Sequence, residues 1–152
     1  MARIKLREQP LYEFTYAFTV QARDLSSRRH LSADAIVQML HEAVANLFQT
    51  LGLNELDLGD GRTGVITEDT VIYFRREAFL FDTLTIETHV DEVDSSGLRM
   101  YHRMIRSGEI AALAESGLVG FDYTTSTIVP IPDTFNSALL HHRQQLQTAL
   151  RT

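Results

Sequence analysis

Residues 12–22 alternate without interruption, and at Ser32 the period changes. Tyr12, Phe14, Tyr16, Phe18, Val20 and Ala22 share one face, while Glu13, Thr15, Thr19, Gln21 and Arg23 fall mostly on the other. A period of two marks a half-buried strand, predicted here over residues 11–23. From Ser32 the apolar residues Ile36, Leu40, Ala43, Val44, Leu47 and Leu51 recur at helical spacing. Ser32 is the expected N-cap, Asp34 sits in the first turn where the dipole favours an anion, and Gly52 is the expected stop. A helix over residues 32–51 follows. Extended by one step, the strand's period puts Asp24 on the apolar face, where a carboxylate needs a partner or a task.

The remainder reads mostly as strand. Val65 to Phe74 is β-branched and aromatic, and Leu84, Ile86, Thr88 and Val90 alternate with polar residues. Asp94-Ser95-Ser96-Gly97 predicts a turn and Leu98 to Arg106 a returning strand. Ser107-Gly108 predicts a tight turn before a long strand from Glu109 to Tyr123. Pro130 and Pro132 end the sheet. Residues 134–150 form a last helix anchored by Phe135, Leu139, Leu146 and Leu150. One strand, one long helix and four strands in series make an α+β arrangement of about five antiparallel strands around one helix. Its open strand edges predict pairing with a second copy.

Composition narrows the function. The 152 residues suit one domain with one core, and 44% are hydrophobic. A net charge of −6 without a dense basic block argues against nucleic acid. No stretch is apolar enough to span a membrane. The absence of cysteine removes disulfides and thiolate chemistry. No apolar leader follows the basic residues near Met1, so the chain reads as cytoplasmic. No histidine or carboxylate pair has metal-ligand spacing, so neither metal nor cofactor is expected.

The order of features resembles the hotdog-fold thioesterase superfamily, in particular its 4-hydroxybenzoyl-CoA thioesterase-like branch. Asp24 stands where that branch has an aspartate after strand one, and His30 where it has the histidine of a Gly-His turn. Glu42-Ala43 stands where it has a Glu-Ala pair late in the helix. Val71-Ile72-Tyr73-Phe74-Arg75-Arg76-Glu77-Ala78, then Asp82-Thr83-Leu84, resembles its second strand, bend and following turn. Thr127 to Pro132 resembles the end of its last strand. Three departures stand out. The glycine before the histidine is absent, the asparagine usual after it is absent too, and Leu25-Ser26-Ser27-Arg28-Arg29 makes a longer, arginine-bearing loop.

The resemblance implies a single hotdog domain over 1–152, with a core at about 11–132 and a C-terminal helix at about 134–150. It implies hydrolysis of an acyl-CoA thioester in a homodimer or homotetramer. Asp24 would serve as nucleophile or general base, with backbone N–H groups around His30 to Ala33 polarising the carbonyl. His30 would orient the substrate. Leu31, Ser32, Tyr73 and Arg75 would contact it, and Arg28, Arg29 and Arg76 would hold the phosphates of coenzyme A. Glu42 falls away from the helix stripe and is the rival carboxylate. Asp24 also has a plainer reading, as a carboxylate that caps a turn or pairs with Arg28 or Arg29. The alternatives are a thioesterase acting on acyl carrier protein and a non-catalytic acyl-thioester-binding hotdog protein.

Overall fold

The structure, a computed structural model, describes residues 4–91 and 93–151. Strand β1 covers Phe14–Thr19, and a single 3-10 turn follows at Ala22–Asp24. Helix α1 is Ala33–Thr50. Strands β2 (Thr63–Phe74), β3 (Thr83–Asp91), β4 (Leu98–Arg106), β5 (Glu109–Asp122) and β6 (Thr127–Val129) come next, and helix α2 (Asp133–Arg151) closes the chain. The sheet runs β1-β3-β4-β5-β2, with the short β6 paired to β5. It is the α+β arrangement expected, with one strand more than the sequence suggested. Three residues after a turn are too few to show alternation, so β6 left no periodic signal.

The turns form where expected. Ser107 and Gly108 both take positive φ (50° and 76°), the backbone a two-residue hairpin requires. Asp94 Oδ1 accepts the N–H groups of Ser96 and Gly97 and closes the β3–β4 connection. Ser32 caps α1, its Oγ accepting the Ala35 N–H at 3.1 Å. Gly52 has φ 75° just past the helix, as a C′ residue should. Three expectations need correction. Strand β1 stops at Thr19, not at residue 23, because the 3-10 turn takes over. Asp24 therefore leaves the strand's alternation and is not on its apolar face. Leu150, expected as an anchor of α2, is exposed, since the buried stripe of that helix is Phe135 and Leu139.

Contacts group the described chain into two units. The first holds the chain through Val44, Val71–His89 and Tyr101–Glu115. Its core sets one face of α1 (Ala35, Ile36, Met39, Leu40, Ala43) against Leu84, Ile86, Met104, Ala111, Ala112 and Ala114. The alanines of β5 let the helix lie close to the sheet. The second unit holds Ala45–Thr70, Val90–Met100 and the chain from Ser116 onward. It buries Phe48 against Phe135, edge to face with centroids 6.0 Å apart. Among the described residues no helix is long and apolar enough to cross a membrane, and no group of three His, Cys, Asp or Glu side chains is placed to hold a metal.

The first unit also buries His102, whose Nδ1 lies 2.9 Å from Thr88 Oγ1. Burial disfavours its charged form and lowers its pKa to about 4. Between about pH 6.5 and that value the unfolded chain takes up a proton that the folded chain refuses. Stability is therefore expected to fall as pH drops through that window, by up to roughly 3 kcal/mol for this one group. Urea midpoints of the wild type and His102→Gln between pH 7 and 4.5 test this. The variant should show the shallower pH slope, and equal slopes would refute the assignment.

Candidate functional site

The site grows from the connection between β1 and α1. Gln21 opens the 3-10 turn, and Asp24 closes it by accepting the Gln21 N–H through Oδ2 at 2.8 Å. The chain then leaves on a narrow excursion. Leu25 and Leu31 form an antiparallel bridge, and the Ser26 N–H donates to the His30 carbonyl at 2.8 Å. The Arg29 N–H donates to the Ser26 carbonyl at 2.9 Å. At the base the Ser32 N–H donates to the Asp24 carbonyl at 3.0 Å. The additional loop residues are thus taken up in a closed hairpin, and Asp24 abuts the first residue of the helix cap.

Arg29, directly before His30, has φ 64°. The residue before the histidine, a glycine in the resembled pattern, is here an arginine in the left-handed conformation that glycine adopts without strain. An L-residue there costs about 1–2 kcal/mol relative to glycine. Arg29→Gly is expected to raise stability by about 1 kcal/mol, seen as a higher urea midpoint at unchanged slope. A lower midpoint would mean that the Arg29 side chain contributes more than its backbone strain removes.

The hairpin is tied across to the end of β2. The Leu31 N–H donates to the Ala78 carbonyl at 2.7 Å, and the Arg75 and Arg76 N–H groups both reach the Ala111 carbonyl, at 2.9 and 3.1 Å. Between these elements lies a cleft of about 440 Å³. Leu31, Ile36, Phe74, Ala78, Met104 and Ala111 supply its apolar lining, and His30, Ser32, Ala33 and Glu77 supply polar groups. This size and lining suit a small-molecule site.

The donors expected at residues 30–33 are partly consumed. The Leu31 and Ser32 N–H groups are engaged, with Ala78 and Asp24 respectively, and so is that of Ala35. Among the described residues no partner engages the N–H groups of Ala33 and Asp34 in the first turn, and Ala33 lines the cleft. These two N–H groups lie in the first turn, where the helix dipole also favours negative charge.

The other expected residues divide. His30, Leu31, Ser32, Arg75 and Arg76 line the cleft, and Asp24 does not. Arg28 and Arg29 are exposed at the tip of the hairpin. Arg76 pairs with Glu109 at 3.2 Å. Tyr73 lines two neighbouring clefts, one with Phe74, Arg75, Arg76, Glu109 and Ile110, and Arg75 lies over its ring at 5.8 Å. Glu42 is exposed and accepts the Tyr16 hydroxyl at 2.9 Å, a bond that raises the phenol's pKa. Sequence reasoning missed Glu77. It lines the cleft, with Oε1 3.9 Å from His30 Nε2. Only the bend after β2 brings it there, although its place in the Arg-Arg-Glu-Ala bend was a visible cue.

Comparison with known proteins bears on the fold and the family. No curated protein matches the chain. Among solved structures, the 1,4-dihydroxy-2-naphthoyl-CoA thioesterase Slr0204 from Synechocystis superposes with a TM-score of 0.75 at 18% identity, covering 84% of this chain and 95% of its own. The gentisyl-coenzyme A thioesterase BH1999 gives 0.73 at 20% identity over 82% and 98%. SAV2348 from Staphylococcus aureus, solved in complex with CoA, gives 0.75 at 16% identity over 94% and 89%. At these identities the likeness establishes the hotdog fold. The profile of the thioesterase-like superfamily matches residues 20–139, from the end of the first strand through the anchors of α2. That span takes in the hairpin, the long helix and the cleft they border, and on it the chain belongs to the thioesterase-like superfamily.

Proposed function

We propose that this chain works as a single hotdog domain that hydrolyses acyl-CoA thioesters. The observation that carries the reading is the closure of the Leu25–Leu31 hairpin. It brings Asp24 against the start of α1, where the Ala33 and Asp34 N–H groups are open and Ala33 lines an apolar cleft. A carbonyl presented there would have its developing negative charge met by the two donors. Asp24 would attack it through a carboxylate oxygen to give an acyl-enzyme, or take a proton from an attacking water. On the first route coenzyme A leaves as its thiolate, and water then cleaves the Asp24 anhydride to free the acid and a proton. On the second, the hydroxide adds to the carbonyl and the departing thiolate takes up the proton that Asp24 received. His30 would hydrogen-bond the substrate, Leu31 and Ser32 would border the acyl group, and Tyr73 and Arg75 would meet the ligand at the mouth. Arg28, Arg29 and Arg76 remain candidates for the phosphates.

Two relatives are named for aromatic acyl thioesters, 1,4-dihydroxy-2-naphthoyl-CoA and gentisyl-CoA. Phe74 in the apolar lining supports aromatic acyl groups in this cleft as well. Strand β2 ends the sheet order with one edge open, which supports pairing with a second copy as a homodimer or homotetramer. The reading is tested by thiol release from short, long and aromatic acyl-CoA esters, beside the same acyl groups on carrier protein. Turnover on an acyl-CoA supports it, and turnover on carrier-borne esters alone moves the substrate to the carrier. One observation favours a non-catalytic acyl-thioester binder: Asp24 already spends Oδ2 on the 3-10 turn and does not line the cleft. That reading predicts ligand binding without thiol release.

A further inference from the structure

The segment before β1 is anchored to the sheet by its second half. Arg103 lies 4.3 Å over the Tyr12 ring and pairs with Glu8 at 2.7 Å, while the Gln9 N–H donates to the Tyr12 hydroxyl at 2.9 Å. This leaves the first half to form one wall of a separate cleft of about 350 Å³, lined by Ile4, Lys5, Leu6, Arg7, Tyr73 and Arg75. Every charged residue in that lining is a cation. Among the described residues, Arg62, Arg76, Arg99, Arg103 and Arg106 each have a carboxylate within ion-pair distance. Lys5, Arg7 and Arg75 have none, and Glu8, the nearest acid in sequence, is committed to Arg103.

In a chain of net charge −6, three uncompensated cations around one cleft attract an anion. Arg75 belongs to this cleft and also to the apolar cleft at the start of α1. One side chain thus joins an apolar compartment to a cationic one, as an elongated ligand with an apolar end and a phosphorylated end would require. We propose that Lys5, Arg7 and Arg75 form a phosphate subsite for the nucleotide end of a coenzyme A thioester whose acyl end enters the apolar cleft. The identity of the ligand rests on the thioesterase reading, while the subsite rests on the cations and the shared wall. The guanidinium groups can each take a phosphate in two parallel hydrogen bonds, and the ammonium adds a point charge.

Calorimetric titration with adenosine 3′,5′-bisphosphate tests the subsite directly. The wild type should bind it, more weakly as salt rises. The Lys5→Glu/Arg7→Glu double variant should lose at least about tenfold in affinity, whereas Arg23→Glu/Arg151→Glu, with the same change in charge, should keep it. The proposal is overturned if the wild type does not bind or if both double variants lose equally. It is also overturned if reversal at Arg28 and Arg29 abolishes binding while reversal at Lys5 and Arg7 does not. Phosphopantetheine binding as tightly as the bisphosphate would assign the subsite to a carrier-borne group and overturn the nucleotide assignment. Bisphosphate binding that depends on Lys5 and Arg7, in a protein that releases no thiol, would sink the hydrolysis reading and leave the subsite standing. Thiol release with binding insensitive to both residues would do the reverse.

Discussion

Asp24→Asn is expected to lower kcat/KM for acyl-CoA hydrolysis by about 10²–10⁴, the range lost when a positioned acid–base group is removed. The substitution is nearly isosteric, and the amide oxygen can still accept the Gln21 N–H that holds the 3-10 turn. The Asp24 backbone carbonyl keeps its bond from Ser32. Circular dichroism and the urea midpoint should therefore stay close to wild type while turnover collapses. Glu77→Gln is the discriminating companion, because Glu77 is the carboxylate that lines the cleft, beside His30. If Glu77→Gln abolishes turnover and Asp24→Asn leaves it intact, the chemistry belongs to the His30–Glu77 pair. Loss in Asp24→Asn alone supports the proposed role.

The largest effect on stability is expected from Phe135→Ala. Phe135 and Phe48 are each fully buried and meet edge to face at 6.0 Å. The truncation leaves a cavity beside Phe48 and costs about 3–5 kcal/mol. For a chain of this size that is a fall in Tm on the order of 10 °C. The beginning of α2 has little else to replace the contact. Its other buried anchor is Leu139, and the Thr134 hydroxyl donates to the Leu58 carbonyl at 2.7 Å. Chemical denaturation checks this. A loss below about 1 kcal/mol would mean that the ring is held by packing that closes easily around its absence.

The architecture was largely legible because its signals are local. Alternation marked β1 and β3, the apolar stripe marked α1, and Ser32, Gly52, Asp94 and Ser107-Gly108 fixed ends and turns by backbone chemistry that depends on few neighbours. For the candidate site, the sequence offered residue types and not their arrangement. Asp24 was expected to continue the strand's period, and a single turn of 3-10 helix closed by its own side chain breaks that period. The hairpin's closure depends on pairing Leu25 with Leu31, and the tie from Leu31 to Ala78 spans a long stretch of chain. Neither leaves a periodic trace. Glu77 and Lys5 were overlooked for the same reason, since their neighbours come from β1–α1 and β2 and not from adjacent sequence. That the Leu31 and Ser32 N–H groups are engaged could be seen only in the folded chain.

The bridge between Leu25 and Leu31 separates two properties that a simple loop would couple. Both ends of the excursion are pinned, by the Leu25–Leu31 pairing and by the Ser32-to-Asp24 bond beneath it. What lies between, from Ser26 to His30, can change in length or charge without altering how Asp24 meets the helix. On the proposed reading, reactivity would be set below the pin and the character of the rim above it. Exchanging the Arg28–Arg29 tip should therefore retune which ligands approach while Asp24 keeps its bond from Ser32.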